Sequence, residues 1–179
     1  MKTNLYFHQA MSKIITVAFA GFFGIYSIAA GVKEVKTEKP ESFEPVLRFA
    51  VCSDVHLNKD ESGIRNAEKF RKLFSRAYEI SAKESYKGLD AVIVAGDFTD
   101  GGRPEEFEIF CDLTKECVKE GTELLTVMGN HEHIEYRDTS TPEKAIDVFR
   151  EYVSDEADYH KVINGYHFIG VSYDGSGKE

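Results

Sequence analysis

The stretch Ala91–Gly102, AVIVAGDFTDGG, decides how the rest of the chain is read. Its apolar run reaches Gly96 without a charge, then stops on a carboxylate, Asp97, with a second at Asp100. A short uncharged run of Ala, Val and Ile suits a strand buried on both faces of a parallel sheet. Open α/β folds bind their ligands at the carboxyl ends of such strands. Asp97 therefore stands where chemistry is usually placed. A strand ending in an ordinary polar turn is the competing reading, and the flanking sequence has to separate the two.

Upstream, Val46–Ser53 (VLRFAVCS) reads as a first strand and runs into Asp54-Val55-His56. A polar loop, Leu57–Gly63, is expected next. Asn66–Ser85 then carries Ala67, Phe70, Leu73, Phe74, Ala77 and Ile80 at helical spacing, with Gly88 as a stop. Downstream, Pro104 is a good first-turn residue, and Glu105 and Glu106 favour the positive end of a helix dipole. The apolar stripe of that helix is Phe107, Phe110, Cys111, Thr114, Cys117 and Val118, ending at Gly121. Leu124–Met128 is the third strand and delivers Gly129-Asn130-His131-Glu132.

The order is thus β-α-β-α-β, with a polar residue at the end of each strand. Asp54 and Asp97 are 43 residues apart, and Asp97 and Asn130 are 33 apart. Both spacings fit right-handed crossover units. Parallel strands joined this way bring Asp54, His56, Asp97 and Asn130 to one edge of the sheet.

Beyond that edge, Glu132–Thr139 is polar and reads as a surface loop. Thr141-Pro142-Glu143 has the pattern of an N-cap, a first-turn proline and a first-turn acid. It opens a short helix with Ala145, Ile146, Phe149 and Tyr152 inward. Tyr159–Ile163 and Tyr166–Ser172 flank Asn164-Gly165, a strong signal for a type I′ hairpin.

The N-terminus differs from the rest. Met1–Gly31 holds no acid, and Ile14–Ala30 is an apolar run of 17 residues preceded by Lys13. Ala29 and Gly31 supply small residues before Val32, the layout of a secretory signal peptide. An uncleaved membrane anchor and a buried helix are the rival readings; the run is slightly short for a span. The first two send the domain across the membrane, so the expected location is secreted or membrane-anchored. Residues 32–45 are charged, aperiodic and contain two prolines, as a linker would. The folded domain is expected over residues 46–179.

The whole chain of 179 residues has a formal charge of −9, and residues 1–31 contribute two lysines and no acid. The exported part is therefore more acidic still, repels nucleic-acid backbone and carries no specific nucleic-acid signal. Its three cysteines form no framework. Cys111 and Cys117, six apart on one helix, lie roughly 9 Å from each other, too far to bridge. All three read as small core residues.

Carboxylate, imidazole and amide oxygen at one sheet edge form a hard-to-borderline donor set, suited to Mn, Fe, Zn or Mg. The two oxygens of an Asp can each hold one of two divalent cations. With Asp54, Asp97 and a bridging hydroxide as the only anions, such a pair keeps net positive charge for a phosphoryl group. Neutral Asn130 preserves that excess. Two cations roughly 3.5–4 Å apart also lower the pKa of bound water. His131 is expected to reach over the site, where it can contact a phosphate oxygen or protonate a leaving group. Asp100 can fix its tautomer and raise its pKa.

In this order, Asp54-Val55-His56, Gly96-Asp97-Phe98-Thr99-Asp100 and Gly129-Asn130-His131-Glu132 resemble the first three motifs of the calcineurin-like metallophosphoesterases. The resemblance spans about Val46–Tyr173. It implies an α/β fold in which two β-sheets form a sandwich flanked by helices (α/β/β/α). It implies Asp54 and His56 on a first metal, Asp97 bridging, Asn130 on a second, and His131 as the catalytic histidine supported by Asp100. The implied substrate is a phosphomonoester or phosphodiester.

The family takes further ligands from a later lone histidine and a Gly-His-x-His motif, and no Gly-His pair occurs here. After His131 only His133, His160 and His167 remain. His133 reads as a loop residue and the other two as strand residues. The expectation is the first half of the domain, with an inactive metal-binding or interaction fragment as the alternative to an enzyme. Asp97→Asn is expected to abolish turnover and Glu132→Gln to leave most of it.

Overall fold

Three parallel strands form the central sheet: β1 (Phe49–Cys52), β2 (Ala91–Ala95) and β3 (Glu123–Val127), in the order β1-β2-β3. The computed structural model describes residues 44–86, 88–136 and 143–175. The signal peptide or anchor expected at 1–31, most of the linker expected at 32–45, and the cap expected at Thr141-Pro142 lie outside the described residues. Among the described residues, no helix is long and apolar enough to cross a membrane.

The uncharged run is the middle strand. Ala91, Val92 and Val94 are buried, and the register pairs Val92 with Ala50 on one side and Leu124 on the other. Helices α1 (Glu61–Lys83), α2 (Pro104–Cys117) and α3 (Glu143–Tyr152) cover one face. Their inward stripes, Phe70 and Phe74, Phe107, Phe110 and Leu113, and Ala145 and Phe149, close one hydrophobic core with Val92, Val94 and Met128. The antiparallel hairpin β4 (Tyr159–Ile163) and β5 (Tyr166–Gly170) covers the other face. There Ile163, Tyr159 and Phe168 meet Ala91, Leu125 and Ile93. Asn164 and Gly165 turn the hairpin with φ of 51° and 80°, the positive pair a type I′ turn requires. The layering is helices, parallel sheet, second sheet: an α/β fold consistent with a partial metallophosphoesterase sandwich.

Two loops expected from polarity are structured. α1 begins at Glu61, inside the segment read as a loop, because the Asp60 carboxylate caps it, accepting from Ser62 N at 2.8 Å and Gly63 N at 3.0 Å. Leu57, in the same segment, is fully buried and bridges to Thr99. His131–Tyr136 forms a 3-10 helix with Glu132 and His133 buried, where a surface loop was expected. α2 starts at Pro104 as expected; Glu106 reaches back to accept from Arg103 N (3.2 Å) and Gly101 N (2.8 Å).

The cysteines are free and half-buried, and burial pushes the Cys52 thiol up to about 11. The core instead rests on aromatic packing around Phe98. Its ring lies edge-on to Phe107 at 5.4 Å and beside Phe110 at 4.2 Å and Phe149 at 6.3 Å. Phe98→Ala is expected to cost about 3–5 kcal/mol, read as a shift in the urea midpoint. A cost under about 1 kcal/mol, no more than a surface substitution, would show that this ring is not central.

Candidate metal centre

Backbone hydrogen bonds hold the loops after β1 and β2 together beyond the end of the sheet. Asp54 N donates to Gly96 O at 3.3 Å, His56 N to Asp97 O at 3.0 Å, and Leu57 N to Phe98 O at 2.9 Å. Asp100 N returns a bond to Leu57 O at 3.1 Å. The parallel pairing thus continues into both motifs and places Asp54, His56, Asp97 and Asp100 side by side.

The loop after β3 joins them through Glu132. Its carboxylate is fully buried and accepts from Asp97 N (3.0 Å), Gly129 N (2.6 Å), Thr99 N (2.9 Å) and Thr99 Oγ1 (2.9 Å). His131 N donates to Asp97 Oδ1 at 3.0 Å. Gly129 lies so close that a Cβ there would clash with the Asp97 carboxylate, and a Cβ on Gly96 would sit 2.8 Å from Gly129 Cα. Only glycine fits both places.

His56, Asp97 and His131 each offer a ligand atom within 4.8 Å of the other two. The His56 and His131 rings meet edge to face at 4.3 Å. Asp54 Oδ1 is 4.0 Å from His56 Nε2, and its carboxylate is 68% exposed. Asn130 stands at the same edge, exposed, its carbonyl accepting from His133 N at 3.2 Å. The residues expected from sequence therefore share one edge, and His131 joins His56 and Asp97 there.

The backbone here is held in a costly shape. Among the described residues, four non-glycines have positive φ, and three are Asp54 (55°), His56 (49°) and Asp97 (52°). A left-handed conformation costs an L-residue roughly 1–2 kcal/mol. Strain gathered at one edge is characteristic of sites where side-chain placement matters more than local stability. The donor set also fits a cation on a further observation. His56 Nδ1 is buried with no hydrogen-bond partner, the nearest carboxylate oxygen, Asp100 Oδ1, being 3.8 Å away.

Three expectations change. Asp100 supports His131 through its backbone: His131 Nδ1 lies 2.7 Å from Asp100 O, while the Asp100 carboxylate faces His56. A carbonyl only accepts, so Nδ1 carries the proton and Nε2 is the nitrogen left free. Glu132, expected to matter little, ties the second motif to the third. His133, expected in a loop, is buried with Nε2 2.9 Å from Tyr173 O.

A sequence model described as calcineurin-like phosphoesterase matches residues 47–175, most of the chain. The chain belongs to that family. As a calcineurin-like phosphoesterase it is also 27% identical over 90 residues to a probable cyclic nucleotide phosphodiesterase of Fibrobacter succinogenes (strain ATCC 19169 / S85). That alignment covers 50% of this chain and 32% of the relative, so the chain matches about a third of that protein's length. Metal dependence and phosphoester hydrolysis are the properties of the family, and the cluster of His56, Asp97 and His131 is its candidate metal-binding group here.

Proposed function

We propose that this domain hydrolyses phosphomonoesters or phosphodiesters at the strand-edge cluster, using two divalent cations from among Mn, Fe, Zn and Mg. Asp54 and His56 would hold one cation, Asn130 the other, and Asp97 both. The observation that carries this reading is the convergence of His56, Asp97 and His131 within 4.8 Å on left-handed backbone. When bound, the cations supply Lewis acidity and activate water at neutral pH.

The chain's own residues account for the rest. His131, with Nδ1–H committed to the Asp100 carbonyl, presents one defined nitrogen, Nε2, to a phosphate oxygen or a leaving group. The clamp on Asp97 N and Gly129 N keeps the second and third motifs in register without spending a side chain of the cluster. The relative's printed name favours trying a diester as well as a monoester. The reading includes an extracytoplasmic location, secreted or held at the membrane through residues 14–30, supported by the leader's sequence pattern.

The test is uptake of Mn by the full chain, followed by hydrolysis of an aryl phosphate monoester and diester. Two equivalents of Mn are expected, with turnover that EDTA abolishes and Mn restores. Stoichiometric uptake with no turnover on either ester would favour the inert metal-binding domain instead.

A further inference from the structure

The hairpin carries a second group of ligating side chains, away from the strand-edge centre. His160 on β4 and His167 on β5 both point out from the hairpin face opposite the one packed on the central sheet. Alternation along each strand puts Tyr159, Ile163 and Phe168 inward and leaves His160, Val162, His167 and Ile169 outward. The register places His160 opposite Ile169 and His167 opposite Val162, so the two histidines are diagonal neighbours. Their rings are nearly parallel, 19° apart with centroids 4.9 Å apart, and His160 Nε2 lies 2.7 Å from His167 Nδ1.

We propose that His160 and His167 form a separate two-imidazole site for a borderline divalent cation such as Ni²⁺, Cu²⁺ or Zn²⁺. In the hydrogen bond between the rings one nitrogen donates and the other accepts, so at least one ring is neutral at the facing atom, as a metal ligand must be. Metal–nitrogen bonds of about 2.0–2.1 Å at a tetrahedral angle need nitrogens roughly 3.3 Å apart. The present 2.7 Å therefore has to open by only about 0.6 Å. Both side chains are exposed, so a small rotation supplies that without moving a strand.

The strand pairing fixes the two Cα positions, so the second imidazole binds as an intramolecular ligand at high effective concentration. The residues directly opposite, Ile169 and Val162, are 75% and 50% exposed and offer no charge to either ring. An all-nitrogen, uncharged donor pair selects Ni, Cu and Zn over Mn and Mg, unlike the carboxylate-bearing strand edge. The two sites share no residue, so either can fail without the other.

Equilibrium dialysis of the full chain against Ni²⁺, followed by metal analysis, tests this. His160→Ala/His167→Ala is expected to lose one equivalent of Ni²⁺. Each single alanine variant should weaken that equivalent roughly tenfold or more, since chelation is lost. Asp97→Asn, which alters the strand edge alone, should retain it, and equimolar Mn²⁺ should not displace it. With one equivalent of Cu²⁺, the electron paramagnetic resonance signal of the Asp97→Asn protein should show two coupled nitrogens that are lost when His160→Ala/His167→Ala is added. A double variant, folded by circular dichroism, that binds as much Ni²⁺ as the parent would overturn the proposal. So would an Asp97→Asn protein that binds none.

Discussion

Glu132→Gln is expected to destabilise the domain by about 3–5 kcal/mol and to weaken cation binding with it. The carboxylate accepts four hydrogen bonds, two at each oxygen: Asp97 N and Gly129 N at Oε2, Thr99 N and Oγ1 at Oε1. A glutamine keeps one oxygen and turns an NH2 toward the other pair. The best placement aims that NH2 at the Thr99 hydroxyl, which can rotate to accept, and still leaves Thr99 N–H facing a donor. Buried donors left unmet cost about 1–3 kcal/mol each, and hydrogen bonds to a charged acceptor are worth about 1.5–3. That is a large share of a total stability on the order of 5–15 kcal/mol. Urea denaturation followed by circular dichroism measures the first effect and Mn titration the second. A midpoint unchanged from the parent would show that the clamp does not hold the loops after β2 and β3 together.

Asp97→Asn is expected to do the opposite. Asp97 Oδ1 accepts His131 N at 3.0 Å, and the asparagine oxygen can accept the same bond. Its φ of 52° is also one that asparagine tolerates well. Stability should therefore stay within about 1 kcal/mol of the parent. The charge is lost, however, along with the second ligating oxygen. Partners that merely orient a ligand are worth about 10–100-fold in metal affinity, so removing the ligand charge should exceed about 100-fold. Ester hydrolysis should fall below detection. Cation affinity equal to the parent's would remove Asp97 from the centre. Together the two variants separate what holds the site in shape from what the site binds.

The parts legible in the sequence were those decided by near neighbours. The uncharged run at Ala91–Ala95 identified a central strand because both faces are buried there. Asn164-Gly165 identified the hairpin because few other dipeptides accept two positive φ values. The convergence of Asp54, His56 and Asp97 followed from the parallel pairing that one crossover unit imposes on β1 and β2.

What escaped was decided by distant partners. Glu132 looked like one acid in a polar run; its role comes from donors 33 and 35 residues earlier. Asp100 was expected to act through its carboxylate, but the local backbone aims its carbonyl at His131 instead. Polarity suggested a loop over Leu57–Gly63, while Asp60 capped a helix within it and Leu57 was drawn into the core beside Thr99.

The positive φ angles at Asp54, His56 and Asp97 bear on how such a domain can be improved or worn down. At Asp54 and His56 glycine relieves the backbone, so selection for thermal robustness alone would reward its arrival, whereas at Asp97 it would also remove the acceptor of His131 N. Each such gain would delete a member of the proposed ligand set. A screen that reads only folding would thus accumulate sturdy proteins with an empty edge, and would report progress at every step. Retaining this triplet requires that function be under selection at the same time.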